Sequence, residues 1–299
     1  MARKLRGKDP KQAQPSKPKI LIFGKPGVGK TWGSLEFPSV YYIDTEGGAD
    51  LDHYTDKLRE SGGTYMGPAE GSNDFKTVVE EVITLATTKH QFRTLVIDSF
   101  SKLFNTAVQV EYDRLAQAGR DMTKTFGAEK KPAIAATRQL VCWFDRLDMN
   151  VILVCHEKDL WVNGEVAGQT FDAWDKLEYE LHLVLHIIKQ GQSRKSRVGK
   201  NRLAQFTEGE AFPWSYAEFS QRYGREIMEA NAKATEPASD AQVKAIRGLV
   251  EAVKLDDETQ VKWFEKAGVT SWEQMDAETI QACIDHLKSK IPNGHEAVA

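Results

Sequence analysis

Eight consecutive residues, Gly24-Lys25-Pro26-Gly27-Val28-Gly29-Lys30-Thr31, fit the pattern G-x-x-x-x-G-K-[ST] at every fixed position. Glycines at this spacing let the backbone curl, so that several N–H groups converge on one anion. A helix opening at Thr31 would add the positive end of its dipole. Lys30 is expected to reach the outer phosphates of a nucleoside triphosphate, and the Thr31 hydroxyl to hold Mg²⁺. Gly24, Lys25, Pro26, Gly27, Val28, Gly29, Lys30 and Thr31 are therefore read as a binding loop for ATP, with Mg²⁺ as the accompanying metal. The bland alternative is a Gly-rich turn that matches by chance; the apolar run Ile20-Leu21-Ile22-Phe23 before it and the acids after it argue against that.

Three further polar positions stand at the ends of apolar runs. Asp98 closes Thr94-Leu95-Val96-Ile97. A carboxylate at the C-terminal end of a strand faces the phosphate site of the same sheet, so Asp98 is read as the second metal-holding group, a role compatible with capping the next helix. Glu46 follows Val40-Tyr41-Tyr42-Ile43, beside Gly47-Gly48, where it could polarise the water that attacks the γ-phosphate. Asp44, two residues earlier, competes for that role, and a solvated acidic loop is the third reading. His156 follows Asn150-Val151-Ile152-Leu153-Val154 and could sense the γ-phosphate or simply fix a strand end. His182 and His186 alternate with apolar residues and look like one face of a half-exposed strand, since no third metal ligand is in sight.

Two stretches are basic. Residues 189–202 hold six Lys/Arg and no acid, and could meet nucleic-acid phosphates or lend cations to ATP on a neighbouring subunit. A solvated charged hairpin is the plain alternative. Residues 120–131 combine Arg/Lys with Gly119, Phe126 and Gly127 and read as a mobile loop whose aromatic could stack on a base.

The elements that would position these groups alternate. Apolar runs of four or five residues are separated by helical periodicity over 73–88, 101–118 and 132–147. Continuous apolar strands between helices imply a mostly parallel sheet covered on both faces, an α/β fold. A turn at Trp161–Val166 and a strand over 181–188 follow. Composition shifts near Ala230. Residues 229–240 read as a linker, and 241–292 as a small all-α domain of three helices, with a capping-box pattern at Thr270–Glu273. Residues 236–299 carry twelve Asp/Glu against seven Lys/Arg, which suits a partner-docking or regulatory role. Residues 1–18 read as a basic, proline-broken, flexible arm, 19–228 as the ATPase core and 293–299 as a flexible tail.

The 299 residues have a net charge of −3 and no apolar run of about 18, so no membrane span is expected. The basic start lacks an apolar stretch and is not a secretory leader. Three cysteines, far apart, make neither a metal pattern nor a disulfide framework. These features point to the cytoplasm.

Together the motifs resemble the RecA-like recombination ATPases, most closely the phage-encoded single-strand annealing ATPases (Sak-type). The resemblance covers about residues 18–226. Tyr42-Ile43-Asp44-Thr45-Glu46 is similar to the segment carrying the family's catalytic glutamate, and Val96-Ile97-Asp98-Ser99 to its second acidic motif. Val198-Gly199-Lys200-Asn201-Arg202-Leu203-Ala204 resembles the segment whose two cations reach a neighbour's ATP. The resemblance thus implies a RecA-like P-loop core, a trans role for Lys200 and Arg202, a homo-oligomer, filament or ring, and binding of single-stranded DNA through about 116–131 and 158–175, the latter holding Trp161, Phe171 and Trp174. It places His156 where the family has an amide. The implied function is ATP-dependent annealing or strand exchange in phage recombination. A hexameric helicase-type motor and a protein-regulating ATPase switch without DNA are the alternatives.

Overall fold

The apolar runs become strands of one sheet because helices can cover both of its faces. The computed structural model describes residues 16–290. Most of the expected basic arm, residues 291–292 and the expected tail lie outside the described residues. Strand β1 (Lys19–Gly24) leads through the phosphate loop into α1 (Lys30–Ser34). β2 (Val40–Asp44), α2 (Asp52–Ser61), β3 (Thr64–Met66), α3 (Phe75–Thr87), β4 (Thr94–Asp98), α4 (Phe100–Gln117), α5 (Lys131–Phe144) and β5 (Asn150–Val162) follow. β6 (Glu165–Phe171) folds back on β5, and β7 (Leu183–Gln190), β8 (Ser193–Asn201) and β9 (Ala211–Pro213) complete the sheet. Its order is β3-β2-β4-β5-β1-β7-β8-β9. The strands from β3 to β7 in that order are parallel, while β8 and β9 turn antiparallel at one edge.

The two-residue period of a strand sorts the core into two layers. Ile20, Ile22, Val96, Ile152, Val154, Leu183 and Leu185 face one side, with Leu35, Phe37, Phe219 and Met228 packed over them. Those last two residues belong to α6 (Tyr216–Tyr223) and α7 (Arg225–Glu229). Leu21, Phe23, Leu95, Ile97, Val151 and Leu153 face the other side, under Val78, Val82, Leu103, Leu140 and Phe144 of α3, α4 and α5. This mixed α/β architecture, a mostly parallel central sheet followed by helices, is the α/β class expected.

The helix after the phosphate loop is only five residues long, ending ahead of Pro38. Two local expectations change. β5 does not stop at Val154 but runs through Cys155, His156 and Glu157 to Val162, so 158–171 is the outer part of a β-hairpin and not a loop. At Thr270–Glu273 no capping box forms: residues 272–274 make a short 3₁₀ turn, and Thr270 donates to the Gln274 side chain instead.

The C-terminal helices are α8 (Asp240–Ala252), α9 (Asp257–Ala267) and α10 (Ala277–Lys288). Ile246, Val269, Trp272, Ile280 and Ile284 belong to the same apolar cluster as α3, α4 and α5. Trp143, fully buried in α5, donates through Nε1 to the Gly268 carbonyl at 2.8 Å, and Arg146 pairs with Asp276 at 3.2 Å. The connecting segment is tied down as well: Lys233 N donates to Asp148, Thr235 N to the Ala86 carbonyl, and Ala238 N to the Met275 carbonyl. Trp143 is therefore one anchor between the C-terminal helices and α5. Trp143→Ala should lower stability by about 3–5 kcal/mol, and limited proteolysis should then cut first within 229–240. A variant that melts like the wild type would contradict this.

Candidate active site

The phosphate loop hangs from the end of β1. Gly27 and Gly29 hold φ of 73° and 90°, a region that a Cβ makes costly, so the curled backbone needs glycine at both places. Lys30 Nζ lies inside the curl, donating to the carbonyls of Gly24 at 2.7 Å and Lys25 at 2.9 Å. Burial pulls its pKa down, and the carboxylates of Asp98 and Glu46 oppose that pull. Because α1 is so short, anion binding here rests on the N–H groups of the loop more than on a long helix dipole.

Register brings the acids to the same edge. β2 and β4 pair Asp44 with Asp98, β4 and β5 pair Asp98 with Val154, and β1 and β5 pair Gly24 with His156. Thr31 Oγ1 donates to Asp98 Oδ2 at 2.5 Å, and Tyr42 OH lies 3.4 Å from the same oxygen. Burial pushes the Asp98 carboxyl up to about 6, with the Thr31 bond acting against the rise. A hydroxyl and a carboxylate oxygen facing each other beside a phosphate loop form a hard-oxygen donor pair that suits Mg²⁺, which completes its shell with water and phosphate oxygens. Among the described residues no group of three or more His, Cys, Asp or Glu forms a metal cluster.

Asp44 and Glu46 occupy different settings. Asp44 is buried and its carboxylate accepts three backbone N–H bonds, from Glu46 at 2.9 Å, Gly47 at 3.0 Å and Ala49 at 2.7 Å. It shapes the turn and has no free face for water. Thr45 and Ser99 exchange hydrogen bonds, Thr45 Oγ1 to the Ser99 carbonyl and Ser99 N to Thr45 Oγ1, which locks the turns after β2 and β4 together. Glu46 is left projecting, its side chain 46% exposed, with Oε1 at 2.8 Å from His156 Nε2. That contact holds the Glu46 carboxyl down at about 2 and raises the imidazole.

Lys200 and Arg202 are not brought to this edge. β8 runs antiparallel to β7, so Asn201 lies opposite Leu183, level with the start of β1. There Lys200 donates to the Leu181 carbonyl and Arg202 to the Tyr179 carbonyl. Of the aromatics in 158–175, Phe171 is buried, Trp174 packs under Arg138, and Trp161 is 63% exposed near the hairpin tip with Leu160, Val162 and Val166. In 116–131 the chain makes two 3₁₀ turns around Phe126, which is 97% exposed. His186 Nε2 meets Glu157 at 2.7 Å, and His182 Nδ1 accepts from Lys19 N, neither in a metal cluster.

Motif spacing did not single out an aromatic surface beside the loop. Trp32, next to Thr31, stacks with His53 at 6.3 Å and carries Lys57 Nζ at 3.9 Å over its ring, and Tyr54 packs on His53. A half-exposed tryptophan directly after a phosphate motif was the available signal.

A phosphate loop, a buried metal-competent carboxylate and a projecting glutamate on one edge of a mostly parallel sheet define a P-loop ATPase of mixed α/β fold. The chain belongs to the AAA domain family, whose model matches residues 16–213. No curated protein matches the chain. Among solved structures, one described as the crystal structure of the RadB recombinase is similar at 17% sequence identity and a TM-score of 0.42, covering 65% of this chain and 84% of that one.

The Glu46–His156 pair predicts a pH window. A raised histidine contributes fully below its ordinary 6.5 and loses the contribution as pH climbs through the raised value. A depressed glutamate contributes above its ordinary 4.5 and loses the contribution as pH falls toward about 2. Half-exposure keeps the stability effect small. By NMR, the His156 ring should titrate above 6.5 and drop toward or below it in Glu46→Gln; an unmoved midpoint would show that the pair does not form in solution.

Proposed function

We propose that this protein is an ATP-dependent, single-stranded-DNA-binding recombination protein that promotes annealing or strand exchange in phage DNA recombination and hydrolyses ATP between subunits. The observation that carries the proposal is the continuity of β5. His156, in contact with Glu46, sits on the same strand whose outer half forms the hairpin bearing Trp161. A change at the γ-phosphate could therefore move a surface suited to bases without any flexible joint between them.

In this reading Lys30 and the loop amides bind the phosphates, and Glu46 orients the attacking water. A carboxylate held near 2 is a weak base, so its contribution is positioning and field more than early proton uptake. Thr31 and Asp98 would hold Mg²⁺, which when bound neutralises charge on the phosphate oxygens. Lys200 and Arg202, displaced to the opposite end of β8, would serve the neighbour's ATP. The Phe126 turns, flanked by Arg120, Lys124, Lys130 and Lys131, combine one stacking ring with cations and suit a DNA strand. The outer strands of the hairpin expose Leu160, Trp161, Val162 and Val166, and Lys158 at its base is already paired with Asp175 at 3.2 Å, so its contribution would be stacking and not phosphate contact. The helices α8, α9 and α10 are read as a docking or regulatory unit for a protein partner.

ATPase rate with and without single-stranded DNA, across a salt series, tests the proposal. Stimulation that fades as salt rises is expected. A rate indifferent to DNA at low salt would favour a protein-regulating switch. Glu46→Gln should bind ATP normally yet turn over on the order of a hundred-fold more slowly or worse. Arg202→Ala and Lys30→Ala should each be inactive alone, and mixing them should restore part of the activity, because one supplies the loop and the other the cation at a shared interface. Absence of rescue would argue against the trans role.

A further inference from the structure

One cation of the β7–β8 hairpin does reach its own phosphate loop. The α-carbon of Gly29 faces the Arg194 side chain so closely that a Cβ there would overlap Nε, lie 2.5 Å from Cδ and come within 3.2 Å of Cζ. Gly29 is thus needed twice, for its φ of 90° and for the arginine lying across it. Arg194 stands at the start of β8, beside the hairpin turn, and its carbonyl accepts from Trp214 N at 3.0 Å. The Trp214 indole packs on Gly33 of α1, where a Cβ would sit 2.7 Å from Cδ1. The backbone of Arg194 is therefore fastened to the same short helix that closes the loop.

β7, β8 and β9 contain no Asp or Glu. The sheet order also fixes the direction of approach. β5, β4 and β2, which bring His156, Asp98 and Glu46, lie on one side of β1, and the hairpin lies on the other. Arg194 consequently meets the loop on the flank away from the groups that face the γ-phosphate and the metal.

We propose that Arg194 is a nucleotide-binding residue acting in cis, its guanidinium contacting the inner phosphates of the nucleotide held by residues 24–31. The assignment rests on the ATP reading of that loop. A planar fork of N–H donors fits phosphate oxygens in a way that an ammonium does not. Because the inner phosphates are common to both nucleotides, Arg194 should matter equally for ADP and ATP. A transition-state arginine would instead matter for turnover. Arg194 and Lys200 are six residues apart, about 20 Å at ~3.3 Å per residue, so β8 would carry a cation for its own nucleotide at one end and for the neighbour's at the other.

The test is calorimetric titration of ADP and of ATP into the full chain as wild type, Arg194→Ala and Arg194→Lys. Arg194 is exposed, so the variants should melt like the wild type without nucleotide. Arg194→Ala should weaken both nucleotides by about ten-fold, the scale of one charge-assisted hydrogen bond. Arg194→Lys should recover part of the loss, and added salt should narrow the gap. Wild type that binds ADP and ATP while Arg194→Ala binds ADP equally well overturns this assignment alone. A variant that keeps ADP affinity but loses turnover at saturating ATP also overturns it, by moving the arginine to the γ-phosphate. Wild type that binds neither nucleotide overturns the ATP reading and this one with it.

Discussion

Everything at the candidate site depends on the registry of four parallel strands. β2, β4, β5 and β1 are paired so that Asp44, Asp98, His156 and Gly24 come to one edge. Backbone hydrogen bonds set this alignment, and the buried faces enforce it, since a slip of one residue would turn every apolar side chain to the wrong layer. The cost of gathering charge at that edge is met locally. Asp98 is buried against the Thr31 hydroxyl with Lys30 nearby, Asp44 is fully occupied by three backbone amides, and Glu46 is paired with His156. Three carboxylates within one turn-and-strand-end cluster would otherwise repel one another.

The same pairing divides the labour among those carboxylates. Asp44 and Glu46 are two residues apart and indistinguishable by type. Asp44 points inward and satisfies amides that a buried turn would leave unpaired, a structural task with a desolvation penalty behind it. Glu46 keeps water access and a titratable partner. The pair is half-exposed, so its energetic weight is modest, but its position is informative: it is the point where the turn after β2 touches β5.

β5 and β8 both extend beyond the nucleotide edge, and in opposite senses. β5 passes His156 and continues outward into a hairpin that exposes Leu160, Trp161 and Val162. β8 leaves the phosphate loop at Arg194 and delivers Lys200 and Arg202 to the far edge of the sheet. The C-terminal helices add mass to the opposite face without a separate core, since Trp143, Gly268 and the Arg146–Asp276 pair join them to α5.

Much of this was legible in the sequence for identifiable reasons. The phosphate loop is local: backbone curvature, glycine placement and the lysine and threonine are all contiguous, so residues 24–31 needed no fold to be recognised. The α/β class followed from apolar runs alternating with helical periodicity, because burial on both faces leaves no other pattern. Strand ends were less secure. His156 was expected at the end of a strand, yet β5 continues to Val162, because Glu157, Lys158 and Asp159 interrupt the apolar run that would mark it. The helix after the loop spans only five residues, which no local pattern in the sequence marks. What only tertiary structure decided were the relations between distant segments: Asp44 turned inward and Glu46 outward, Glu46 meeting a histidine 110 residues away, and Arg194 crossing Gly29 while Lys200 and Arg202 lie at the other end of one strand. Sequence specifies these through pairing order and register, which are collective properties of the packed sheet and have no local signature.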